Sequence, residues 1–171
     1  LLRIDQNANG NIKAITASAQ DVNYKDKTSQ VNVTNGDLKV NYNDDGTLGN
    51  LQTKADKVDF TNKDNKIVAE KANVNLAFEN NKLTTLTGSV DKLSNTSSQG
   101  KLDVTKGTIN ANFDKDGNLS KLTGGADSLS YLSNKGDKLD VKGLGIEVNA
   151  GKNGIESATA TAGQINYLSN K

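Results

Sequence analysis

The side chains that could carry chemistry in this chain are nearly all carboxylates and lysines. Two acidic clusters, one of Asp44, Asp45 and Gly46 and one of Asp114, Asp116 and Gly117, can be read as fragments of a calcium loop. Neither is followed by the remaining oxygen ligands or the closing bidentate glutamate, so both read as turns. Histidine and cysteine are absent. Imidazole acid–base catalysis, thiolate nucleophiles, thiolate metal sites and disulfides therefore lack their members. Asp56, Asp59, Asp91, Asp103 and Asp140 stand near lysines on alternating segments, where exposed cross-strand ion pairs are expected. No catalytic residue, metal site or cofactor is assigned, and the chain reads as non-enzymatic.

The remaining composition narrows the class. Lys and Arg number 21 against 20 Asp and Glu, a net charge of +1, which leaves no field to steer toward nucleic acid or an anionic membrane. No run approaches the roughly eighteen apolar residues of a membrane-spanning helix. Only 33% of the 171 residues are hydrophobic and 4% aromatic, which is lean for a sphere and better suited to a thin core drawn out along one axis. A cysteine-free chain rich in Asn, Thr, Ser and Gly is expected outside the cytoplasm of a bacterium, in the periplasm or at the cell surface.

What positions these residues is a repeat of about 36 residues. Segments 12–24, 48–60, 83–95, 119–131 and 155–167 align, with apolar or small residues at the same places, as in Leu48, Leu51, Ala55, Val58 and Phe60 or Leu119, Leu122, Ala126, Leu129 and Tyr131. Asn95 alone breaks the final aromatic. A second segment type fills 31–42, 67–78, 102–113 and 139–150. Leu2 and Ile4 match Leu38 and Val40, while residues 167–171 copy 131–135, so the array is expected to continue beyond both ends. Residues 1–171 are read as a single β-repeat domain.

Asn, Thr, Gly, Asp and Ser within the periodic segments disfavour helix, and strict alternation replaces it. In Leu38, Val40 and Tyr42, in Val74, Leu76 and Phe78, and in Ile109, Ala111 and Phe113, every second residue faces one side. Asp-Gly and Asn-rich runs between segments supply hairpin turns, giving an antiparallel meander of about nine long strands. Within the second segment type the apolar parity flips, Val31 and Val33 against Leu38 and Val40, with Asn35 and Gly36 at the join. A bulge or corner near Gly36, Ala72, Gly107 and Gly143, matched at Ala19, Ala55, Val90, Ala126 and Ala162, would keep both halves facing one interior. The expected fold is all-β, an elongated array of long bent antiparallel strands folded over as a jellyroll or flattened sandwich. The alternative is a right-handed single-strand β-helix with like strands stacked in parallel. Either geometry turns Val31, Val33, Leu38, Val40, Ile67, Val74, Leu76, Phe78, Leu102, Val104, Ile109, Phe113, Val141, Ile146 and Val148 inward. Tyr24, Tyr42, Phe60, Phe78, Phe113, Tyr131 and Tyr167 fall at strand ends, as caps on the core or as the rim of a groove.

In register, residues 17–78 resemble the OstA-like family of periplasmic lipopolysaccharide-transport proteins. The likeness rests on Ala19, Asp21, Val22 and Tyr24, on Lys54 through Phe60, and on Ile67 through Leu76, and extends loosely through Gly125 to Tyr131. The repeat spacing is more regular than that pattern and the turns are longer. The resemblance implies a β-jellyroll whose inward residues, the fifteen just named, hold acyl chains of lipid or lipopolysaccharide. It also implies copies or jellyroll partners joined end to end through unpaired edge strands. The competing reading is a structural or adhesive spacer of an extracellular fibre or surface stalk, favoured by regular repeats and balanced charge.

Overall fold

The computed structural model describes residues 1–171, and every regular element is a strand: β1 (Leu2–Gln6), β2 (Ile12–Lys25), β3 (Ser29–Tyr42), β4 (Leu48–Asn62), β5 (Asn65–Glu79), β6 (Lys82–Ser97), β7 (Gly100–Phe113), β8 (Leu119–Ser133), β9 (Lys138–Gly151), β10 (Gly154–Thr161) and β11 (Gln164–Leu168). They form one open antiparallel sheet in chain order, with β10 and β11 both paired to the far side of β9. The expected elongated all-β meander is what the chain adopts. The parallel β-helix is overturned, because every neighbour is antiparallel. Eight strands are long, at 14 to 16 residues, and a break after Thr161 splits the last ribbon at the position homologous to the other bends.

Turn chemistry dictates this path. At four hairpins a glycine with positive φ donates its N–H to the carbonyl three residues back: Gly10 to Asn7, Gly46 to Asn43, Gly117 to Asp114 and Gly136 to Ser133, at 2.9 to 3.0 Å. Between β5 and β6, Asn80 and Asn81 hold φ of 51° and 60°, the two-residue turn that asparagine tolerates and that matches strand twist. Register shifts occur beside these turns, at Asn41/Tyr42, Ala77/Phe78 and Asn112/Phe113.

The parity flip is made without any register shift. On either side of it the pairing sums are unchanged, Gly36 opposite Ala55 and Thr34 opposite Lys57. Instead, Asn35, Lys71, Lys106 and Gly143 take φ of 49°, 55°, 53° and 62° in β3, β5, β7 and β9, and these four align across the sheet. The result is a crease running perpendicular to the strands. Both halves of each strand thereby present apolar residues to the same face.

Because paired residues share a face, that face carries continuous transverse rows. One runs from Val22 through Val33, Val58, Ala69, Leu93, Val104 and Leu129 to Val141 and Ile165. Beyond the crease another runs from Ile15 through Val40, Leu51, Leu76, Leu86 and Ala111 to Leu122 and Val148. The sheet does not close over this face into a sandwich. Only Ala14, Ala111, Ala126 and Val141 are buried, and the remaining apolar side chains stay half-exposed or exposed.

Candidate functional site

The crease is built from two kinds of residue, one on each face. On the outer face it is polar: Asn35 Nδ2 donates to Asp56 Oδ2 at 2.8 Å, Lys71 Nζ to Asp56 Oδ1 at 2.7 Å, and Lys106 Nζ to Asp91 Oδ1 at 3.0 Å. The Lys71 ammonium, with the Asn35 amide, holds the Asp56 carboxyl below its ordinary range, and Asp56 in turn raises Lys71. Asp56 and Asp91 thus form the expected cross-strand pairs. Asp59, Asp103 and Asp140 do not: each meets the lysine two residues earlier in its own strand, Lys57, Lys101 and Lys138, at 3.0 to 3.3 Å. No lysine stands directly opposite them, Asp59 facing Asn32 and Val68, Asp103 facing Ser94 and Ser130, and Asp140 facing Ser130 and Asn166, so the lysine at i−2 on the same strand face is the cation in reach. All these pairs remain solvent-accessible, with Asp59 and Asp140 half-buried, and add little to stability.

On the inner face the crease is lined by small residues. Ala19, Gly36, Ala55 and Ala72 follow one another across β2 to β5. Their missing bulk leaves an open groove of about 410 Å³ with nine hydrophobic residues in its wall. Val22, Val33 and Val58 flank it on one side, and Ala17, Leu38 and Val74 on the other, so both halves of the strands contribute. Three inter-strand spacings give it a length of about 14 Å. Val90 is next in the row, and its Cγ1 would stand 3.1 Å from a Cβ on Gly107, so the floor rises there. Ser18, Asp37 and Lys54 supply polar atoms to the lining.

Of the fifteen inward residues read from the sequence, Val33, Leu38 and Val74 line this groove. Val31 and Ile67 flank Phe60 at one rim. Leu102 sits between Asn95 and Tyr131, Val104 between Leu93 and Leu129, and Val141 between Leu129 and Ile165. Val40 and Leu76 flank Leu51, while Val148 pairs with Leu122. Ile109 and Ile146 flank Gly124, and Phe78 and Phe113 pair with Leu83 and Leu119 at the other rim. They are spread along the whole sheet and not gathered at one point. The inward residues expected from the sequence all lie in second-type segments, whereas the groove draws on both types. Ala17, Ala19, Val22, Ala55 and Val58 of the first type also line it, and their small-or-apolar spacing is the sequence signal for them.

No protein-family model, curated protein or solved structure matches the chain. The groove is therefore read from its own chemistry. It offers no clustered carboxylates, and the acidic turns are satisfied internally: Asp114 Oδ1 accepts the Asp116 and Asn118 N–H groups at 2.9 Å each. The Asn118 N–H holds Asp114 below its ordinary range, as the Thr47 hydroxyl does Asp45. What the crease can do is exclude water from an apolar ligand.

Proposed function

We propose that this chain is a non-enzymatic module of the bacterial periplasm that holds the acyl chain of a lipid or lipopolysaccharide along its apolar sheet face. The observation carrying this reading is the open groove of about 410 Å³ on the crease, walled by nine hydrophobic residues. Its volume falls in the range of about 300–1,000 Å³ typical of small-molecule sites. An acyl chain suits it because the groove is long, has a floor of Ala19, Gly36, Ala55 and Ala72, and continues into apolar rows. Burial of about ten methylenes contributes on the order of 8 kcal/mol before the losses of association. The OstA-like resemblance of residues 17–78 points the same way, and the open sheet edges suit a bridge assembled from several modules.

The test is mass spectrometry of lipids extracted from protein purified without denaturant, with Val74→Asp, in the groove wall, as the comparison. Acyl lipid recovered from the wild type and missing from the variant, with β-sheet circular dichroism retained, supports the proposal. Lipid-free wild-type protein refutes it.

A second reading, the structural spacer, has its own support. Adjacent hairpins are tied by hydrogen bonds that recur with the repeat, Asn134 Nδ2 to Ser98 O and Asn170 Nδ2 to Lys135 O, both 2.8 Å. Such ties stiffen an array whatever its apolar face carries. A lipid-free protein that keeps its length as repeats are added would favour this reading.

A further inference from the structure

The accessible surface is too large for a finished molecule. A compact 18.1 kDa monomer exposes about 8,100 Å², whereas this chain exposes 11351 Å², an excess of about 3,300 Å². The excess is a sheet face with apolar rows and nothing packed on it, and soluble monomers rarely leave contiguous apolar patches beyond a few hundred Å². An obligate homodimer removes about 2,000–5,000 Å² in total, which is about 1,000–2,500 Å² from each copy, so one partner of equal size would cover a large share of what is left open.

The face is shaped to fit itself. In the row just past the crease, branched aliphatic residues alternate by strand with threonine, glycine or alanine: Leu38, Thr53, Val74, Gly88, Ile109, Gly124, Ile146 and Ala160 on β3 to β10. The large ones stand up as ridges, with Leu38 37%, Ile109 44% and Ile146 41% exposed. Gly88, Gly124 and Ala160 leave hollows two strands apart, the first narrowed by Cγ2 of Ile109, which would stand 2.9 Å from a Cβ on Gly88.

We propose that a second copy of this chain covers the apolar face, related by a two-fold axis parallel to the strands and running between β6 and β7. That operator sets β7 over β6, β5 over β8, β9 over β4 and β3 over β10 of the other copy. Three of the four aliphatic residues then meet a glycine or alanine, Ile109 on Gly88, Val74 on Gly124 and Leu38 on Ala160, while Ile146 meets Thr53. An axis centred on a strand would instead set Ile109 against Ile109. Two aligned sheets at about 10 Å form an ordinary sandwich, with the small-residue crease left as a channel between them. The pairing does not depend on lipid filling that channel.

The chain has no cysteine, so introduced thiols report this geometry cleanly. Thr53 and Ile146 lie five strands apart in one copy, about 24 Å, well beyond disulfide reach. In the dimer they face each other twice. Delipidated Thr53→Cys/Ile146→Cys protein is expected to run as a covalent dimer on non-reducing gels, and the wild type to scatter light as a dimer of twice 18.1 kDa. Adding Ile109→Asp, a substitution at an exposed position of the single copy, is expected to lower cross-linking at least tenfold with the β-sheet spectrum intact. A wild-type monomer at about 100 μM, or an open ladder of oligomers from edge pairing, overturns the proposal. A monomer that still carries lipid would remove the dimer and keep the acyl groove; a lipid-free dimer would do the reverse.

Discussion

A Cβ added to Gly36 would stand 3.1 Å from Cγ1 of Val33, three residues earlier in the same strand. In unbroken alternation those two positions face opposite sides. They share a face because Asn35, between them, holds a φ of 49°. Asparagine accepts that conformation and a β-branched residue does not, at a cost of about 1–2 kcal/mol. Asn35→Val is therefore expected to lower the urea unfolding free energy by about that amount, while Asn35→Gly, which loses the same Asp56 hydrogen bond, does not. Equal loss in both variants would show that the crease does not depend on backbone handedness.

Asn95 stands in the rim row between Ile67 and Leu102, where the other repeats place Tyr or Phe. Its Oδ1 is buried without a hydrogen-bond partner. An unsatisfied buried polar atom costs about 1–3 kcal/mol. Asn95→Leu is expected to raise the unfolding free energy by about 1 kcal/mol, measured by the same titration. A loss of stability would mean that the amide has a role in the rim.

Stability should be flat between about pH 5 and pH 9, because no histidine titrates there. Asp26, Asp45, Asp56, Asp114 and Asp140 are all held below their ordinary 3.8, chiefly by hydrogen bonds from Thr28, Thr47, Lys71, Asn118 and Ser130. A lowered carboxylate stabilises the fold above its unfolded value, and that contribution is lost as the pH falls through the folded one. The thermal midpoint should therefore drop below about pH 4. Lys71 is raised above 10.5, so its contribution is complete below that value and lost at higher pH. Asp56→Asn should soften both limbs. A fall in midpoint between pH 6 and pH 8 would contradict this picture.

The repeat, the antiparallel path and the crease were legible because each rests on local residue types. Asp-Gly and Asn-Gly turns specify hairpins, and the parity change from Val33 to Leu38 specifies a corner. The single open layer was not legible. Val104 and Ile109 must face one side whether that side is covered by its own sheet or left open, and closure depends on curvature summed over many strands. The groove was half legible, since Gly36 and Ala72 were visible as bend residues. Their second effect, removing bulk beside Ala19 and Ala55, depends on a cross-strand register that the sequence pattern alone did not supply.

The groove itself is tested most directly by titrating a fluorescent fatty acid into the wild type and into Ala55→Leu, which sets a branched side chain on its floor. Saturable binding by the wild type, weakened at least tenfold in Ala55→Leu with circular dichroism and thermal midpoint preserved, is the expected result. Absence of binding to the wild type, or equal binding by both proteins, would contradict an acyl site on the crease.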